Sequence, residues 1–151
     1  MKLKDVAFAE GQLRFRIPSE WAETKEEDGG VAYYDEKQDQ GTLRVKVMTF
    51  TTEDDLTGHR AIDEMGVLEA EPGQTLEALG NGNALRFHRE ETEAHGERTA
   101  FHVWLLASLD PPHRMRLAVF SMTVRAGADA AEVLAMLDRE IRTSRFKHQV
   151  S

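Results

Sequence analysis

Leu13, Phe15 and Ile17 alternate with Arg14 and Arg16, and Leu43, Val45 and Val47 alternate with Arg44 and Lys46. A period of two sends one set of side chains to a core and the other to water, which is the pattern of a half-buried β-strand. Pro18 withdraws a ladder donor and ends the first of these runs. The pattern recurs along the chain. "VAYYD" reads as a short strand. "QTLEAL" and "NALRFHREE" flank "GNG", a hairpin signal. "RTAFHVWLLASL" is the most apolar run and is expected at the sheet's centre, covered on both faces. "DPPH" turns the chain into "RMRLAVFSMTV". Strands joined by hairpins form an antiparallel sheet.

Two segments change period. In "TTEDDLTGHRAIDEM", Leu56, Ile62 and Met65 suit one helix face, with Thr52 and Asp55 placed as a capping box. Gly66, or the approach to Pro72, ends it. In "ADAAEVLAMLDREIRTSRF", Asp129 and Glu132 open a helix whose stripe is Val133, Leu134, Leu137 and Ile141. Arg139, Arg142 and Arg145 suit its negative end. Apolar helix faces need a platform, and the sheet is the only one. The expected fold is α+β: a central antiparallel sheet of about six or seven strands with helices packed on it, an α/β/α sandwich.

At 151 residues the chain reads as a single domain over 1–151. It has no cysteine, which removes disulfides and thiolate metal sites and fits a reducing, cytoplasmic setting. Asp and Glu number 27 against 19 Lys and Arg, for a net charge of −8. That field repels phosphate backbones, so nucleic acid is not the expected partner. "MKLKDVAFAEGQLRF" lacks the apolar core of a signal peptide, and no apolar run reaches the roughly 20 residues that span a bilayer.

Three histidines, His88, His95 and His102, punctuate "RFHREETEAHGERTAFHVW". His95 sits at the turn, and its neighbours lie about 23 Å away at ~3.3 Å per strand residue, so the three cannot share a metal. A three-residue loop "AHG", with Gly96 at positive φ, would pair His88 directly with His102. Leu85, Phe87, Phe101, Val103 and Leu105 would then share a core face, packed on the closing helix through Leu134, Leu137 and Ile141. Arg86, His88, His102 and Trp104 would share the other face, the candidate ligand-binding site. Two opposed histidines fall short of the three or four ligands zinc takes, so no metal and no cofactor is expected.

Other chemistry is sparse. Ser19, Ser108, Ser121, Ser144 and Ser151 sit in no nucleophile elbow, and "GNGNALRF" joins strands instead of opening a helix. Arg14/Arg16 and Arg114/Arg116 are the polar halves of strands. No catalytic residues emerge, and an enzyme is not expected.

The succession "GQLRFRIPSEW", "YYDEKQDQGTLRVKVMTF", "LGNGNALRFHREETEAHGERTAFHVWLLA", "FSMTV" and "EIRTSRF" resembles the PsbP-like family. That family spans a photosystem II subunit, a Ran-binding import factor and short bacterial proteins. The resemblance covers nearly the whole chain, and its motifs are structural. It implies an antiparallel sheet between helices and a non-enzymatic role as a protein-binding or adaptor domain. A small-ligand or metal-binding protein using the Arg86/His88/His102/Trp104 face is the second expectation. A chaperone for a secreted effector, as some short relatives are, is a further one. An uncovered sheet face or edge would permit a homodimer.

Overall fold

The computed structural model describes residues 1–67 and 74–149. The alternating runs become strands, but they divide between two sheets. β1 (Leu3–Phe8), β2 (Leu13–Pro18) and the short β10 (Arg145–Phe146) form a three-stranded sheet in the order β1-β2-β10. β3 (Ala22–Lys25), β4 (Val31–Tyr34), β5 (Thr42–Thr51), β6 (Thr75–Ala78), β7 (Ala84–Ala94), β8 (Glu97–Asp110) and β9 (Arg114–Arg125) form the main sheet, in the order β3-β4-β5-β9-β8-β7-β6. Every pairing in both sheets is antiparallel. The apolar β8 lies one place off the centre, which β9 occupies.

Two helices cover the main sheet, α1 (Ala61–Val67) on one face and α2 (Ala131–Arg142) on the other. The larger core lies under α2. There Trp104, Leu106, Phe120, Met122 and Leu43 meet Val133, Met136, Leu137 and Ile141, and the small sheet adds Leu13, Phe15 and Ile17. Arg16 grips the buried Glu140 through two bonds of 3.0 Å, tying β2 to α2. The smaller core holds Ala84, Ala107 and Leu117 against Ala61 and Met65. Since β8 alternates, Trp104 and Leu106 serve the first core and Ala107 the second.

The first helix begins later than its sequence pattern indicates. Thr52 and Asp55 do not cap it. Thr52 Oγ1 accepts from the amide of Asp54 at 3.2 Å, and Asp55 Oδ1 accepts from Thr57 at 2.8 Å. Such side-chain bonds to near backbone compete with helix and favour turns. Gly58 then takes φ +82°, and the buried Leu56 is fixed by its amide bond to Pro112 O at 2.7 Å. The stretch approaching Pro72 lies outside the described residues. No helix among the described residues is long and apolar enough to cross a membrane.

Candidate functional site

The hairpin of β7 and β8 turns through two residues, not three. His95 at φ 55° and Gly96 at φ 80° both take positive values, the arrangement of a type I′ turn. Ala94 therefore pairs with Glu97, His88 with Val103, and Arg89 with His102. This corrects the expected pairing of His88 with His102. A one-residue change of register sends a strand's side chains to the opposite face.

The four candidate residues consequently split two and two. Arg86 and His88 face the α1 side; His102 and Trp104 face the α2 side. Arg86 is buried and donates through Nη2 to Met65 O at 2.7 Å, near the carboxyl end of α1, where a cation is favoured. His88 is half-buried, with Nε2 3.6 Å from Glu90 Oε1. The expected core set is corrected too. Phe87 packs at the edge of the α2-side core, while Phe101, Val103 and Leu105 face the other way and are half-buried. Among the described residues no three His, Asp or Glu side chains gather as a metal site.

His102 lines a different feature, while Trp104 lies in the α2-side core. A cleft of about 370 Å³ opens between the far end of the hairpin and the start of α2. Ala100, Val124 and Leu134 give it apolar walls, His102 lines it, and Arg89, Arg98 and Arg125 stand around it. Beyond Arg98 and Arg125 it continues into a wider groove of about 730 Å³ that reaches the turn at Gly96. The wall between β9 and α2 is held by the amide of Ala126, which donates to Arg98 O at 2.9 Å, and by Ala128, which donates to Arg125 O at 3.1 Å. Gly127, at φ +87°, makes that turn sterically free.

The arginines are unequally committed. Arg89 Nη2 sits 2.6 Å from Glu91 Oε1, and Arg125 is bound to Asp39. Among the described residues Arg98 has only a long 3.9 Å approach to Glu91. His102 stacks along Phe87 and Trp104, with interplanar angles of 28° and 25°, and Trp104 Nε1 donates to Asp138 Oδ1 on α2 at 3.1 Å. The ring of His102 has no hydrogen-bond partner among the described residues, and burial, then the Arg89 charge, holds its pKa below the ordinary histidine value.

A second histidine also has its pKa pushed below the ordinary value. His148, in the closing 3-10 turn (Lys147–Gln149), has Nε2 3.0 Å from Ser108 Oγ. Its burial outweighs the opposing pull of Asp110, and Arg116 adds to the lowering. No carboxylate orients its Nδ1 among the described residues, so the pair lacks the third group of a nucleophilic triad. It instead anchors the chain end, together with Gln149 Nε2, which donates to Asn83 Oδ1 at 2.6 Å.

Both histidines regain a pKa near 6.5 on unfolding. Between their lowered folded values and 6.5 the unfolded chain binds more protons, so their contribution is complete above about pH 6.5 and is lost as pH falls below it. The urea midpoint is expected to drop from pH 7 to pH 5, and to drop less in the His102→Asn, His148→Asn double variant. An unchanged pH profile in that variant would contradict the assignment.

No protein-family model matches the chain, and no curated protein matches it. Solved structures do. A protein of Bacteroides thetaiotaomicron superposes at TM-score 0.67 with 18% identity over 97% of this chain; the chain spans about half of that protein, 49%. LpqN of Mycobacterium tuberculosis, a protein involved in cell envelope biogenesis, superposes at 0.55 with 12% identity, covering 95% of this chain and 89% of that one. Cyanobacterial PsbP from Synechocystis superposes at 0.47 with 13% identity, covering 95% and 92%. The likeness is one of fold. The architecture is an α+β fold, an antiparallel sheet between helices, as the sequence pattern predicts.

Of the four sequence candidates, His102 lines this cleft, and Arg89, Arg98, Arg125 and the start of α2 join it without having been legible as a site in the sequence. One signal was available: "RAGADAAEV" enters a helix with alanine, not Ser, Thr, Asn or Asp, at the position before it.

Proposed function

We propose that the chain is a protein-binding domain that seats an extended segment of a partner in the cleft between the β7–β8 hairpin and α2. The observation that supports this reading is the cleft itself: apolar walls, a charged rim, and an open continuation past Arg98 and Arg125 into the wider groove. Small-molecule sites enclose most of their ligand's surface, whereas a trough open along its length suits a chain. A small acid seated in the inner part alone is the second reading, since its volume is within the range of ligand pockets, ~300–1,000 Å³. A role as an adaptor or as a chaperone for a secreted effector is compatible with the same trough.

The test is selection of displayed random peptides on the intact chain. Ala131 lines the cleft and is exposed, so Ala131→Trp fills the space without entering the core. Selected peptides are expected to lose about tenfold or more in affinity for this variant, as steric exclusion from a packed contact does. The exposed Glu90, on the opposite sheet face, serves as control through Glu90→Lys. No enrichment, or enrichment indifferent to Ala131→Trp, overturns the proposal.

A further inference from the structure

The geometry points to recognition of a free C-terminal carboxylate: we infer that the cleft takes the last residues of a partner chain, their apolar side chains on Val124 and Leu134 and their carboxylate at the amino end of α2. This inference rests on the proposed protein-binding role and gives the partner segment its chemistry.

The first N–H groups of an α-helix have no partner within the helix and carry its positive end. In α2 no side chain caps them among the described residues. Ala130 stands at the capping position without a side-chain bond, and the first helical bond is the Leu134 amide to Ala130 O at 2.8 Å. Among the described residues no backbone carbonyl outside the helix accepts from the amides of Ala131, Glu132 or Val133. Of the local acids, Glu91 is held by Arg89, Asp39 by Arg125, the exposed Asp129 makes no capping bond, and the exposed Glu132 of the first turn lines a different cleft, beside Met136 and Arg139.

His102 is the independent observation. It is only 9% exposed, it lines the cleft, and neither ring nitrogen has a hydrogen-bond partner among the described residues. Its nitrogens are open to the cleft and not sealed in the core, so a ligand atom can reach them. A neutral imidazole presents one N–H donor, which suits a carboxylate oxygen. Arg98, 69% exposed at the rim, supplies a cation whose single approach to Glu91 is 3.9 Å. The alanines at 126, 128, 130 and 131 leave the backbone approachable.

Two peptides decide the matter: N-acetyl-Ala-Val-Leu as the free acid and as the amide, titrated into the intact chain and followed by NMR. The free acid is expected to shift the amides of Ala131–Val133 and the His102 ring. Its affinity should exceed that of the amide by about tenfold or more, the worth of one charge-assisted hydrogen bond. It should also tighten as pH falls from 7.5 to 6, because an anion beside His102 favours its protonated form. His102→Gln should remove the pH dependence. Equal affinity for acid and amide overturns the carboxylate inference while leaving segment binding in place. Butyrate binding as tightly as the free-acid peptide overturns the assignment to a partner chain in favour of a free small acid. No shift with either peptide overturns the inference; if displayed peptides also fail to enrich, the protein-binding reading falls with it.

Discussion

Trp104→Ala should destabilise the protein by about 3–5 kcal/mol, the usual cost of truncating a buried aromatic, and Phe101→Ala by about 1 kcal/mol. Both residues stand on β8, three apart, so they point to opposite faces. Trp104 is 2% exposed, packs on Phe87 at a ring separation of 5.3 Å, and donates to Asp138 across the α2 interface. Its loss opens a cavity and leaves Asp138 without that donor. Phe101 is half-buried on the other face and belongs to neither core. The register in which His88 opposes His102 reverses this order, because it turns Phe101 to the core. Urea denaturation of the two variants distinguishes the registers, and a larger loss for Phe101→Ala would show the observed pairing to be wrong.

Gly41→Ala should cost about 2–4 kcal/mol, because two penalties add. Gly41 precedes β5 at φ +100°, a backbone conformation that a Cβ strains. An added Cβ would also stand 2.6 Å from Thr123 O and 2.8 Å from the Met122 side chain. The carbonyl belongs to the β5–β9 ladder and cannot withdraw without disturbing it. Gly29→Ala separates the two causes. Its φ is +88°, but nothing lies within 4 Å of the added carbon, so only the backbone penalty of about 1–2 kcal/mol remains. Equal losses at the two positions would mean that the close approach to β9 contributes nothing.

Much of this architecture is legible residue by residue. Leu13, Phe15 and Ile17 are buried while Arg14 and Arg16 are exposed, as their alternation requires. Val133, Leu137 and Ile141 are buried along α2, as their spacing requires. Arg139 and Arg142 lie in its last turn, and Arg142 also bonds Asp138 and Glu77. The candidate site was less legible. His102 and Trp104 carry no mark that assigns them to one face, because β8 is apolar on both: Trp104 and Leu106 alternate with Val103, Leu105 and Ala107. The preference of the sequence for "AHG" as a three-residue loop rests on Gly96 and on the single apolar face that this register gives Leu85, Phe87, Phe101, Val103 and Leu105. Histidine also tolerates the left-handed region better than most residues, and that tolerance admits the tighter turn.

The sequence by itself determined the period of each segment, the chain order of hairpins, and the polar or apolar character of each face. Those properties arise from side chains two or four residues apart, and the local backbone transmits them without outside help. Tertiary structure decided the rest. It divided similar strands between two sheets, moved the start of α1 past Gly58, and chose the hairpin register. Each choice lay between arrangements of nearly equal local energy. The balance was tipped by contacts between residues far apart in sequence: Trp104 with Asp138, Arg16 with Glu140, and Leu56 with Pro112. The cleft exists for the same reason, since Arg98, His102, Arg125 and the bare start of α2 meet only after the register is set and the helix has folded back across the sheet.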